Sequence, residues 1–86
     1  MNTDEIKKKG QEMKPSVHVG KDGPSEEVVQ EIAQQVERHR VIKVKLLPSS
    51  GRERRGLAEE LAQRAAVRLV EVRGNTALFC HKRVFE

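Results

Sequence analysis

Tryptophan and tyrosine are absent from this 86-residue sequence, and phenylalanine occurs only at Phe79 and Phe85. Modules that hold nucleic acid by stacking its bases need exposed aromatic platforms, so stacking cannot dominate any such interaction here. Cysteine is limited to Cys80, which excludes an internal disulfide and a multi-cysteine zinc site. Its apolar strand context reads as a buried, inert thiol. No apolar run approaches membrane-spanning length. Catalytic constellations are missing as well. His18, His39 and His81 are dispersed, no nucleophile stands beside a base, and Gly20-Lys21-Asp22-Gly23 lacks the G-x-x-x-x-G-K-[ST] spacing of a P-loop. The expectation is a protein that is not an enzyme, with no cofactor, no metal and no small-molecule substrate.

What the sequence does contain is charge. It is 36% hydrophobic and 35% charged, a composition for one globular domain spanning 1–86. The net charge is +4, but residues 24–37 carry Glu26, Glu27, Glu31 and Glu37 with no lysine or arginine, so that segment stands at −4 and the rest at +8. One acidic face and a basic remainder suit a protein that lays one surface on a polyanion, although a solvated helix also carries glutamates ordinarily. The start, Met-Asn-Thr-Asp-Glu-Ile-Lys-Lys-Lys, has early acids and no apolar stretch, so no export or transit signal is expected and the cytoplasm is the expected location.

The periodicities predict seven elements. Thr3 is placed to cap a first helix with Ile6, Gly10 and Met13 on one face, ending at Lys14-Pro15. Ser16 to Val19 alternates as a short strand. Pro24 fits the first position of a second helix, whose buried stripe is Val28, Val29, Ile32, Ala33 and Val36 and whose end carries Arg38-His39-Arg40. Val41 to Leu47 reads as a strand, with Ile42, Val44 and Leu46 on one face and Lys43 and Lys45 on the other. After Pro48-Ser49-Ser50-Gly51, a third helix shows the stripe Leu57, Ala58, Leu61, Ala62 and Ala65. Arg68 to Arg73 and Thr76 to Lys82 form a hairpin around Gly74-Asn75. The fold class is α/β, a mixed four-stranded sheet in the order α-β-α-β-α-β-β. Two strand-helix-strand crossovers imply parallel pairing, with the hairpin adding an antiparallel edge. Both parities of the last strand are apolar, so Leu78 with Cys80 and Phe79 with His81 compete for the helix-covered face.

Two features point to an anionic ligand. In the G-x-x-G turn, Gly20 and Gly23 let a ligand approach main-chain N–H groups, Lys21 adds a mobile cation, and the following helix presents its positive end. From the turn alone, a steric use of two glycines is the commoner reading. The second feature is the arginine cluster Arg52, Arg54 and Arg55 at the start of the third helix. Cations there oppose the macrodipole, so a sequence shaped for stability would place acids instead. With aromatics scarce, binding rests on phosphate and sugar contacts and carries a steep salt dependence.

The strand, Gly20-Lys21-Asp22-Gly23, helix, then His39-Arg40-Val41-Ile42-Lys43-Val44-Lys45 in this order resembles the CRM (chloroplast RNA splicing and ribosome maturation) domain family, in its stand-alone YhbY-like prokaryotic form. Lys14-Pro15, Glu31-Ile32 and Val70-Glu71-Val72-Arg73-Gly74-Asn75-Thr76 extend the resemblance over almost the whole chain. It implies a fold similar to the C-terminal domain of bacterial translation initiation factor three, and RNA binding, in prokaryotic members on the precursor of the large ribosomal subunit. It also implies that Gly20, Lys21, Asp22 and Gly23 act as a backbone clamp like that of KH domains. Lys43, Lys45, Arg52, Arg54 and Arg55 rest on the charge argument instead. Three departures stand out. Pro24 follows the second glycine and removes an N–H, Cys80-His81 stands where relatives end the strand with an aromatic and an arginine, and Glu26 and Glu27 would repel a phosphate docked at their helix terminus. The expected partner is structured ribosomal RNA. An adaptor using the acidic helix 24–37 and a DNA-compacting protein are the alternatives, separable by Glu31 and Glu37 reversal and by competition between duplex DNA and RNA.

Overall fold

The computed structural model describes residues 2–21, 23–47 and 53–85. Three helices, α1 (Thr3–Glu12), α2 (Glu26–His39) and α3 (Arg54–Ala65), alternate with β1 (Val17–Val19), β2 (Val41–Leu46), β3 (Arg68–Arg73) and β4 (Thr76–Cys80), and Lys82–Phe85 forms a closing 3-10 turn. The element order is the expected one. Helix α1 starts one residue earlier in its capping than expected, because the side chain of Asn2, not Thr3, accepts the N–H of Glu5 at 2.8 Å. Pro24 likewise lies outside α2. Ser25 is the N-cap, its hydroxyl accepting from the N–H of Val28 at 3.3 Å.

The sheet has the order β1-β2-β4-β3. The first crossover pairs β1 with β2 in parallel, as expected. The second does not bring β3 beside β2. Strand β4 inserts between them, antiparallel to both, so β3 takes the edge and β4 the interior. The insertion follows from hydrophobicity: Ala77, Leu78, Phe79 and Cys80 are all buried, whereas β3 begins and ends in exposed arginines and suits an edge. Gly74 takes φ +58 at the first position of the connecting turn, the type that matches strand twist.

Both parities of β4 are buried because both sheet faces are covered. Ala77 and Phe79 join Ile42, Val44 and Leu46 beneath α2 and α3, whose stripes fill the main core. Leu78 and Cys80 face the other way and pack with Ile6 of α1 and Val41. His81 joins neither set; it is half-buried beyond the strand. Helix α1 approaches closely because Gly10 lacks a side chain: a Cβ there would stand 2.6 Å from a terminal methyl of Leu78. A bulge between Leu69 and Glu71 sets two residues of β3 against one of β4. It keeps Leu69 and Val72 on the main core while Val70 packs on the α1 side.

Helix α3 ends on Ala66 in the left-handed region, φ 57 and ψ 43, where its N–H reaches the carbonyls of Ala62 and Gln63. A Cβ in that conformation costs about 1 kcal/mol relative to glycine. Ala66→Gly is therefore expected to raise stability by about 0.5–1 kcal/mol, readable in chemical denaturation; a loss of stability would show that the exposed cap is not strained.

Candidate nucleic-acid interface

The turn that leaves β1 is closed by its own backbone. The N–H of Gly23 donates to the carbonyl of Gly20 at 2.9 Å, and the N–H of Ser25 donates to the carbonyl of Gly23 at 2.9 Å, spanning Pro24. Gly23 holds φ +62, which a side chain would strain. Lys21 is exposed at the tip, while Asp22 falls outside the described residues. The Gly23 amide that the sequence offered to a phosphate is thus spent within the turn. Among the described residues, what an anion can still meet here includes the Lys21 ammonium and the start of α2, where the amides of Glu26 and Glu27 have no acceptor.

Repulsion from the glutamates at this terminus is partly relieved by a residue the sequence did not single out. Arg64, in the last turn of α3, donates to the carbonyl of Pro24 and lies 3.2 Å from the Glu26 carboxylate, with Glu60 at 3.7 Å. It neutralises Glu26 and ties the end of α3 to the loop–α2 junction. Only long-range packing brings residues 24 and 64 together, so nothing local in the sequence signals the pair.

The same contact separates the arginine cluster from the turn. Arg54 is ten residues before Arg64, about 15 Å along the helix axis. Arg54 and Arg55 are exposed there, Arg55 lies 3.3 Å from Glu59, and Arg52 falls outside the described residues. The opening of α3 also carries an acid among its arginines. Glu53 is the N-cap, and its carboxylate accepts from the N–H groups of Gly56 at 2.6 Å and Arg55 at 2.8 Å. These two bonds, Gly56 first, hold its pKa below the ordinary value of 4.5. The cap's stabilisation is therefore complete above that ordinary value and is lost as pH falls through the lowered one. Glu53→Gln is expected to lower the thermal midpoint at neutral pH and to flatten its fall in acid; a fall as steep as that of the unaltered protein would remove Glu53 as a source of the acid sensitivity.

A second cationic array lies on the sheet. His18 pairs with Lys45, Lys45 with Thr76, and Thr76 with Arg73. These four residues form one cross-strand row at about 4.8 Å per strand, on the face opposite α2 and α3. The row sits near the carboxyl ends of the parallel strands β1 and β2. There the N–H of Leu47 bonds Val19 and the N–H of Leu46 bonds Asn75, at 2.8 and 2.7 Å, so the Gly20–Gly23 turn and the β3–β4 turn emerge from the same end of the sheet. Lys21, Lys45 and Arg73 are thereby gathered at one end. Arg73 was legible as a strand residue only; the strand insertion gives it its neighbours.

Lys43 stands one row away and is engaged differently. Its ammonium donates to the carbonyls of Gly10 at 3.1 Å and Met13 at 3.5 Å, satisfying the carboxyl end of α1. Of the histidines, His81 is half-buried with Nε2 3.3 Å from Glu37, and its Nδ1 accepts from the N–H of Arg83. It fastens the end of α2 to the end of β4 instead of extending the basic face. Burial pushes the Cys80 thiol above its ordinary value. No group of three or more metal-ligating side chains occurs among the described residues.

A family model described as the CRS1/YhbY (CRM) domain matches residues 2–80. The fold matches the solution structure of a hypothetical protein from Staphylococcus aureus, described only provisionally as an RNA-binding protein, with a TM-score of 0.78, 22% identity, and coverage of 93% of this chain and 83% of that one. No curated protein sequence matches.

Proposed function

The chain belongs to the CRS1/YhbY (CRM) domain family, and from that premise we propose that it is a non-catalytic RNA-binding protein acting on structured ribosomal RNA during large-subunit assembly. The observation that carries the reading is the convergence of Lys21, Lys45 and Arg73 at one end of the sheet, beside the amino end of α2. Cations across a surface some three strands wide match a phosphate backbone, and the scarcity of aromatics directs recognition to RNA shape and backbone instead of stacked bases. The Gly20–Gly23 turn acts in this scheme as a rigid mount for Lys21 more than as an amide clamp. Lys43 contributes field rather than a direct contact, and Arg54 and Arg55 reach a separate stretch of the same RNA. The description of the Staphylococcus aureus structure agrees with the partner class.

The test is the affinity of a Lys21→Glu, Lys45→Glu, Arg73→Glu variant for a ribosomal RNA fragment. It must fall well below that of the unaltered protein while the fold persists. Equal affinity overturns the assignment of this end as the binding surface.

A further inference from the structure

Between the carboxyl end of α1 and the exposed part of the sheet lies a cleft of about 310 Å³, lined by Gly10, Gln11, Lys43, Glu71, Arg73, Thr76 and Leu78. Its volume falls in the range of small-ligand sites. Its chemistry is mixed. Glu71 is a half-buried carboxylate with no hydrogen-bond or ion-pair partner among the described residues, so its oxygens are open to a ligand in the cleft. Arg73, two residues on along the same strand, is exposed at the rim and its guanidinium has no partner among the described residues either. Lys43 spends two of its three N–H groups on the carbonyls of α1, which leaves one donor. Leu78 and the Cα of Gly10 supply an apolar wall.

We propose that this cleft binds a guanine nucleotide. The inference rests on the RNA-binding reading for its source, an unpaired guanosine of the bound RNA, but the cleft chemistry stands by itself. A carboxylate offers two acceptors side by side, and guanine is the common base whose Watson–Crick edge presents two adjacent donors, N1–H and the N2 amino group. Adenine offers one donor beside an acceptor, and uracil one donor between acceptors. Glu71 therefore selects guanine. Arg73 at the rim takes the phosphate, and the remaining Lys43 donor lies within the same cleft. Because the base is held by edge contacts against an aliphatic wall, the site needs no aromatic, in keeping with a chain that has only two phenylalanines. Bidentate recognition of this kind supplies discrimination of about tenfold or more over a base that mismatches it.

The experiment is a two-dimensional amide NMR titration of the ¹⁵N-labelled chain with 5′-GMP and with 5′-AMP, alongside a direct measurement of its affinity for a ribosomal RNA fragment. The expected result is saturable shifts at Gly10, Gln11, Glu71 and Thr76 with GMP, about tenfold weaker with AMP, and loss of that preference in Glu71→Gln. Glu71 lies on the edge strand and belongs to neither core cluster, so the variant is expected to fold, and its spectrum reports that directly; Glu71→Ala serves the same purpose should the amide variant not fold. Equal response to both nucleotides, or a preference retained without the carboxylate, overturns the proposal. RNA binding without GMP shifts overturns the cleft and leaves the RNA reading in place. Cleft shifts without RNA binding overturn the RNA reading and leave the cleft as a site for the free nucleotide.

Discussion

Reversing Lys21, Lys45 and Arg73 to glutamate is expected to weaken binding to structured RNA by about 100-fold at moderate salt. Each lost exposed phosphate contact is worth about 1 kcal/mol, and 1.4 kcal/mol is a factor of ten. The three reversals also carry the net charge from +4 to −2, so part of the loss would be long-range. A control separates the two effects: Lys8, Lys9 and Arg38 are exposed elsewhere on the molecule, and their reversal changes the net charge by the same amount. If local contacts dominate, the control loses much less affinity than the triple variant. If both sets lose equally, the cluster has no special place in binding. None of the three residues is a core residue, so the thermal midpoint is expected to change little.

Phe79→Ala is expected to have the largest effect on the fold itself, a destabilisation of about 3–5 kcal/mol. Phe79 is fully buried on the central strand β4, beneath α2 and α3, opposite Ile42 on one side and Leu69 on the other. Truncation would open a cavity between the sheet and both helices. For a domain of this size, with about 5–15 kcal/mol of total stability, the loss is a large fraction of the whole. Chemical denaturation should show the midpoint shift with little change in slope. A change near 1 kcal/mol would mean that the helices close over the gap and that the core is less rigid than its packing indicates.

The helix stripes and the central strand were legible because burial imposes a period: Ile32 and Val36, Leu57 and Leu61, and Ile42, Val44 and Leu46 all face the core as their spacing predicts. The facing of β4 was not legible, since a strand covered on both sides loses alternation. Leu78 and Cys80 meet α1 while Ala77 and Phe79 meet α2 and α3, and only the three-layer arrangement distinguishes them. The insertion of β4 between β2 and β3 was hidden for a related reason, because a hairpin can add either of its strands to a sheet.

At the candidate site, residue types were easier to find than their company. Lys21 and Lys45 were visible as cations beside a turn and on a strand face, but Arg73 joins them only through cross-strand register. Glu53 was passed over among three arginines, although an acid preceding a helix is a capping signal that local reading could have found. Arg64 carried no signal at all. Its task of neutralising Glu26 exists only because α3 ends beside the start of α2.

The salt dependence of binding to a ribosomal RNA fragment tests the central claim most directly. If Lys21, Lys45 and Arg73 neutralise phosphates, log affinity falls linearly with log salt for the unaltered protein, and the triple variant shows a slope smaller by about two to three, near 0.7–0.9 per lost contact. Equal slopes for the two proteins would place the phosphate contacts elsewhere and contradict the account.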